Sequence, residues 1–483
     1  MKKNTTSLSI ALDARQANLP QTIIFLVAAS LMLGMFLTDT TDELIAYLLI
    51  AIVSAGPAAV WIGSGSTGVP VMAGASILYF IYYGVPILRK SVTFAQYAPV
   101  EILSAAVTVT LFLVAASSMW GLVLFGRRHQ PRNVSSALIS GTQLERVINC
   151  GLGLGIFYFV ALYSGWLNGL GSFFGFFRSV SLTTTTVACF MLGYARAEGS
   201  LQGRHWALAV TGLVTIVLLS WVSLFLVSGI IFCLGALFGY VITSKRIPWA
   251  FLLTAVVTIV VLHAGKDDMR YKYWAKGQSY ISDVSVFQAP AMMVEWVGTG
   301  LSTIASGEYY DSAIDRASLL HLLLRVQRLT PDYVPLLEGK SYAVLPDMLV
   351  PRFIDPDKIS SQTAMNMLNV HFGFQTTEGT QKTAIGWGLI AEAYANFGRT
   401  GVVGIGVLLG LLIGCFERWS VDAPLISLRG LIAVAVLMQL VNMEGDAAGL
   451  VTSLVQSVFA ISIYYSISGL FSKQKNRSRS AQR

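Results

Sequence analysis

The stretch from Thr383 to Trp419, TAIGWGLIAEAYANFGRTGVVGIGVLLGLLIGCFERW, holds a carboxylate, an amide and a guanidinium at helical spacing. Glu392, Asn396 and Arg399 stand at i, i+4 and i+7, so a helix sets all three on one face. A charge inside a membrane helix costs about 2.5–3.5 kcal/mol on insertion scales, so such residues usually face a polar cavity and act there. On this reading Glu392 is the candidate general base for removing a proton from a hydroxyl, and Asn396 and Arg399 bind the substrate. The structural alternative is a Glu392–Arg399 ion pair at the membrane boundary. His371, in NVHFGF, is the second candidate proton acceptor.

A second group is cationic. It comprises Arg178 in FFGFFRSV, Arg316, Arg325 and Arg328 around LLHLLLRVQR, Arg352 and Lys358 in VPRFIDPDK, and Arg399 again. Guanidinium is a planar fork that grips phosphate oxygens in pairs, so several arginines at one membrane surface suit a lipid phosphate. Arg352 is placed with Glu392 and His371 among the catalytic candidates, as a group that steadies charge on the leaving phosphate. The plainer readings are a solvated helix face for Arg325 and Arg328, and pairing of Arg352 with Asp355 or Asp357. The sequence shows no His, Cys or Asp cluster at metal spacing, no Walker-type loop and no nucleophile elbow, so neither a metal nor a cofactor is expected.

These residues must be positioned by a membrane bundle. The chain has 483 residues, 54% of them hydrophobic and only 12% charged, where soluble proteins carry about a quarter charged. Its apolar residues come in runs of about 20, the length a helix needs to cross the hydrocarbon core, and not in alternating ten-residue segments. The expected fold class is therefore an all-α polytopic membrane protein. Twelve spans are expected, near 23–37, 45–61, 69–88, 101–125 and 150–167, a sixth reaching about Tyr194, two in 207–243, and then 248–264, 396–416, 427–443 and 449–470. Residues 1–265 then hold spans 1 to 9, residues 384–472 hold spans 10 to 12, and 473–483 form a basic tail.

The net charge of +8 sits largely in short loops and the tail, which points to membrane orientation and not to nucleic acid. Lysine and arginine placement puts both termini in the cytoplasm and residues 266–383 outside. That long segment is read as a partly helical cap over the outer mouth of the bundle, since loops well beyond about 15 residues are usually functional or disordered, and its apolar and aromatic content argues against disorder.

The pairing of LEGKSY and LPDMLVPRFIDPDK with GWGLIAEAYANFGRTG, across a long loop before the last three spans, resembles the O-antigen polymerase (Wzy-like) family. The resemblance covers about Arg316 to Gly414 and the overall architecture. It implies a C-type membrane glycosyltransferase fold, an undecaprenyl-diphosphate-linked oligosaccharide as substrate, and the bacterial cytoplasmic membrane as location. It also implies a chain-length regulator and a flippase as partners in the same process. Related O-antigen ligases share the architecture, and a glycan flippase or exporter is the rival from another class. Family patterns usually carry an aromatic residue where Ile354 and Asp355 stand, and this sequence departs there.

Overall fold

The computed structural model describes residues 18–65, 67–88, 92–125, 141–274, 287–306, 318–350, 354–355, 357–382 and 385–467. The protein is an all-α multi-pass membrane protein, with no β-strand among the described residues. Among the described residues, eight helices are long and apolar enough to cross a membrane: α2 (Thr41–Gly63), α3 (Val71–Leu88), α4 (Pro99–Phe125), α5 (Gly141–Tyr163), α7 (Gly203–Trp221), α8 (Leu226–Ser244), α14 (Gly388–Ser420) and α16 (Ala447–Ile467). A ninth is reached if α9 (Trp249–Ala264) and α10 (Lys266–Tyr273), bent by 52° at Gly265, count as one span.

The other expected spans also fall on helices, but weaker ones. The first lies in α1 (Asn18–Leu37), of which Val27–Leu37 is a short apolar helix, and the eleventh is the short α15 (Leu428–Gln439). The sixth, α6 (Phe174–Glu198), is long, but Arg178 and the four threonines Thr183 to Thr186 dilute its apolar run. Between α9 and α14 the described residues include α10, α11 (Ala289–Ser306), α12 (Leu319–Leu329) and α13 (Thr363–His371), with two shorter helices, Leu345–Leu349 and Thr377–Lys382. The basic tail and the arginines after α4 lie outside the described residues.

The most extensive helix pairing is α4 with α14. Lipid tails are as apolar as leucine, so membrane helices associate through close van der Waals packing, which small residues permit. Gly406, Gly410 and Gly414 recur every fourth residue and let the α14 backbone settle onto Phe112, Ala116 and Val123 of α4. A β-carbon on Gly410 would stand 2.1 Å from the Ala116 carbonyl oxygen. One end of this pair is tied by Glu417, which is buried: its Oε1 accepts from the Met72 amide at 2.7 Å and its Oε2 from Trp120 Nε1–H at 2.7 Å. A single carboxylate thus joins α14 to α3 and α4.

The helix α14 is not continuous. Gly398 adopts φ 64° and ψ −152°, a region open essentially to glycine alone, and so breaks the helix between Asn396 and Arg399. The single stripe of Glu392, Asn396 and Arg399 expected from the sequence is therefore split.

Candidate functional site

On the N-terminal side of the Gly398 break, Glu392 and Asn396 are fully buried. Ser341, from the loop LEGKSY, lies between them: its hydroxyl donates to Glu392 Oε1 at 2.7 Å and its oxygen accepts from Asn396 Nδ2 at 2.8 Å. The same loop is stitched to α14 by main-chain bonds from Leu337 to Ala395 O (3.0 Å) and from Glu338 to Asn396 O (3.1 Å). Asn396 Oδ1 also accepts from the Gly339 amide at 3.1 Å. Glu392 Oε2 accepts from the Ala447 amide at 2.7 Å, which holds the start of α16.

A second buried carboxylate, Asp446, caps α16 by accepting from the Gly449 amide at 2.7 Å. Burial pushes its carboxyl above the ordinary aspartate range, and the amide bonds at the helix start offset only part of that. Tyr342 faces both carboxylates; burial first, and then their charge, raises its phenol, whose oxygen is buried with no hydrogen-bond partner among the described residues. Its ring stacks on Phe397, next to the break, at 6.1 Å.

On the other side of the break the chemistry is cationic. Arg399 is exposed and donates from a terminal nitrogen to Ser104 Oγ of α4 at 2.7 Å. The expected alternative pair of Glu392 with Arg399 does not form, because Gly398 turns the two side chains to different neighbours. One turn away on α4, Glu101 takes Arg328 of α12 in a fork, with Nε to Oε1 at 2.9 Å and a terminal nitrogen to Oε2 at 2.8 Å. The same nitrogen reaches Gln96 O at 3.0 Å, and the guanidinium lies 4.1 Å over the Tyr97 ring. Gln327 completes the row by donating to Thr108 at 2.8 Å. Glu101, Ser104 and Thr108, at i, i+3 and i+7 of α4, thus receive α12 and α14 along one stripe.

Arg325 sits one turn before Arg328 on α12, exposed, with its guanidinium 4.2 Å over the Phe374 ring. Phe374 stacks in turn on buried Trp387 at 5.5 Å, whose indole N–H donates to Asn369 Oδ1 at 2.7 Å. Among the described residues, neither Arg325 nor Arg399 pairs with a carboxylate, whereas Arg328 is half-exposed and paired with Glu101.

The remaining sequence candidates are dispersed. Arg178 opens α6, where Phe176 packs on Phe459 of α16 and Phe177 on Tyr158 of α5; no contact among the described residues joins it to Arg325, Arg328 and Arg399. Lys358 donates from Nζ to Met348 O. His371 is partly buried and hydrogen-bonds through Nε2 to Pro335 O at 2.8 Å. Arg316 and Arg352 lie outside the described residues.

Ser341, Tyr342 and Asp446 were not singled out from the sequence. The signal for Asp446 was present, as a lone aspartate one residue before an apolar run in MEGDAAGL. Ser341 and Tyr342 carry no local signal, since their roles come from packing LEGKSY against a helix some 50 residues away. No cluster of three His, Cys, Asp or Glu side chains among the described residues is placed to hold a metal ion. Compared with known proteins, the chain matches no family, no curated protein sequence and no solved structure.

Proposed function

We propose that the chain is a membrane glycosyltransferase that joins oligosaccharide repeat units carried on undecaprenyl diphosphate, as the O-antigen polymerase resemblance implies. In this reading the bundle has twelve spans and lies in the bacterial cytoplasmic membrane with both termini inside. The segment 266–383 is outside, and a flippase and a chain-length regulator work beside it. The observation that carries the proposal is that Arg328 of α12 and Arg399 of α14 bond to successive turns of α4, with Arg325 one turn from Arg328, while among the described residues neither Arg325 nor Arg399 pairs with a carboxylate. Such fixed cations suit a diphosphate, because they are aimed before the reaction and need no reorganisation as charge develops.

The reaction breaks the bond from the anomeric carbon to the phosphate oxygen and forms a bond from that carbon to a hydroxyl oxygen of the incoming unit. Undecaprenyl diphosphate leaves with the bonding electrons, and the hydroxyl proton passes to a base. Of the two candidate bases, His371 is the reachable one. Donation from Nε2–H to Pro335 O selects the tautomer whose Nδ1 accepts a proton. Glu392 has both oxygens occupied and no exposed surface, so its part is to hold Ser341, Asn396 and the start of α16.

A ligase that passes the finished glycan to another acceptor would use the same donor site. A flippase would need charges through the depth of the bundle, whereas Arg328 and Arg399 bond to successive turns of α4 and Arg325 lies one turn from Arg328. The test in cells is to replace Arg399 or Arg325 by alanine and examine the surface glycan. Loss of long chains with accumulation of the lipid-linked single repeat, in protein that still inserts, is the expected result. Accumulation of full-length lipid-linked polymer would point to the ligase, and unchanged glycan in both variants would remove the proposal.

A further inference from the structure

The helix α11, Ala289–Ser306, lies within the segment that charge placement assigns to an aqueous cap, yet its free surface is not that of a helix in water. Its exposed residues include Val294, Val297, Gly298, Leu301 and Ser302, and none of the exposed ones is charged. A water-facing helix ordinarily carries charged and polar residues on its outer face. The one charge on α11, Glu295, lies at the edge of that face with its side chain 37% exposed, where it pairs with Lys272 and accepts from Tyr273 Oη at 2.5 Å, both on α10.

The position of α11 shows what covers that face. Trp296 Nε1–H donates to Leu262 O at 2.7 Å, and Gly300 packs so closely that a β-carbon there would stand 2.0 Å from Val261 O. Leu262 and Val261 belong to the last turn of α9, and α9 presents Leu253, Val256, Val257 and Val260 outward with a single buried residue, Leu262. That outward surface is apolar, on a helix that counts toward a candidate span together with α10. Tyr271, between Arg270 and Lys272 at the end of α10, and Phe287, before α11, are almost fully exposed, 94% and 95%, as aromatic side chains are in the belt at a bilayer boundary, while the first turn of α10 carries the exposed Asp267 and Asp268.

We infer that α11 is embedded in the membrane interface, with Val294, Val297 and Leu301 in the acyl chains of the leaflet at which α9 ends. Its uncharged face continues the apolar outward surface of α9, and the exposed Tyr271 and Phe287 mark the boundary. The inference rests on surface chemistry and packing and is independent of the proposed enzymatic activity.

The test uses the full-length protein, free of its native cysteines and reconstituted in phosphatidylglycerol–phosphatidylethanolamine vesicles. Nitroxide labels are placed singly at Val294, Val297 and Leu301, with Val256 as the lipid reference and Asp332 as the aqueous one. The three α11 labels are expected to match Val256, with frequent collisions with oxygen and few with a water-soluble nickel chelate. Collision with the nickel chelate at the Asp332 level would overturn the inference. So would low collision with both reagents at all three sites, which would mean a protein partner or a second copy covers the face. Unlabelled cysteines at the same sites provide a measurement free of nitroxide bulk. They are expected to react with an impermeant maleimide at least tenfold more slowly than a cysteine at Asp332, and equal rates would also overturn it.

Discussion

The hydroxyl of Ser341 donates to Glu392 Oε1 at 2.7 Å while its oxygen accepts from Asn396 Nδ2 at 2.8 Å, so one serine fastens the LEGKSY loop to two consecutive turns of α14. All three side chains are fully buried. Any one of them removed leaves a partner unsatisfied in a dry environment, which costs about 1–3 kcal/mol per group.

Glu392→Ala orphans both the Ser341 hydroxyl and the Ala447 amide, and is expected to destabilise the protein by about 2–6 kcal/mol, summed over two such groups. Glu392→Gln keeps one acceptor and is expected to lose about half as much. Thermal unfolding of Glu392→Ala, Ser341→Ala and the double variant in detergent should be strongly non-additive, since both residues share one bond. Turnover per folded molecule within tenfold of wild type in Glu392→Gln is the expected kinetic result. A fall of about 10²–10⁴-fold at equal folded amount would make Glu392 the base.

Arg328 and Arg325 lie one turn apart but are expected to behave differently. Arg328 is forked onto Glu101 with both partners over a third exposed, so Arg328→Ala is expected to cost only about 0.2–1 kcal/mol of stability through that pair. Arg325→Ala removes a cation over Phe374 and is expected to change stability by no more than about 1 kcal/mol while turnover falls sharply. Arg325→Lys should rescue poorly, because lysine keeps the charge and loses the fork. A double-alanine cycle for Arg328 and Glu101, read by unfolding, checks the first statement, and a turnover assay of the Arg325 variants checks the second.

Stability should fall as pH rises through the range set by Asp446. Burial raises its folded pKa above the unfolded value of about 3.9, so the folded state holds the proton more tightly between those two values. The favourable contribution is complete below the unfolded value and disappears as pH passes the folded one. Asp446→Asn keeps an acceptor for the Gly449 amide and removes the titration, so its unfolding temperature should vary less with pH and at neutral pH equal or exceed that of wild type. An unchanged slope in the Asn variant would contradict this account of Asp446.

Much of the architecture was legible because a membrane span is written in consecutive residues. The apolar runs located α2 to α5, α7, α8, α14 and α16, and the pattern LLHLLLRVQR located α12. The split of α14 was not legible. Gly398 in NFGRTG reads like the packing glycines Gly406 and Gly410, and only the fold decides which glycine adopts a positive φ. The same gap hid the real partners of the site: Arg399 was set beside Glu392 by periodicity, but it meets Ser104, 295 positions earlier in the chain. Buried carboxylates such as Glu417 and Asp446 were missed for a related reason, since the amides and the indole that bond to them are partners no local pattern points to.

The packing of α4 on α14 gives a prediction that does not depend on function. Gly410→Val would drive its side chain into the Ala116 carbonyl and separate the two helices that carry Ser104 and Arg399. Loss of folded, monodisperse protein on size-exclusion chromatography is expected, with Gly404→Val as a control, because a β-carbon at Gly404 meets nothing within 4 Å. Normal yield of the Gly410 variant would show that the contact is looser than described.

The central claim is that Arg325 and Arg399 hold the diphosphate of a lipid-linked glycan while it leaves. The direct measurement is elongation of a purified undecaprenyl-diphosphate-linked repeat by the purified protein, with wild type, Arg325→Ala and Arg399→Ala compared at equal folded amounts. The account predicts longer glycans and released undecaprenyl diphosphate with wild type. It predicts turnover about 10²–10³-fold lower in each alanine variant, the scale on which removing one fixed stabilising donor acts. Alanine variants that elongate at the wild-type rate, or wild-type protein that neither elongates the glycan nor releases the carrier, would contradict it.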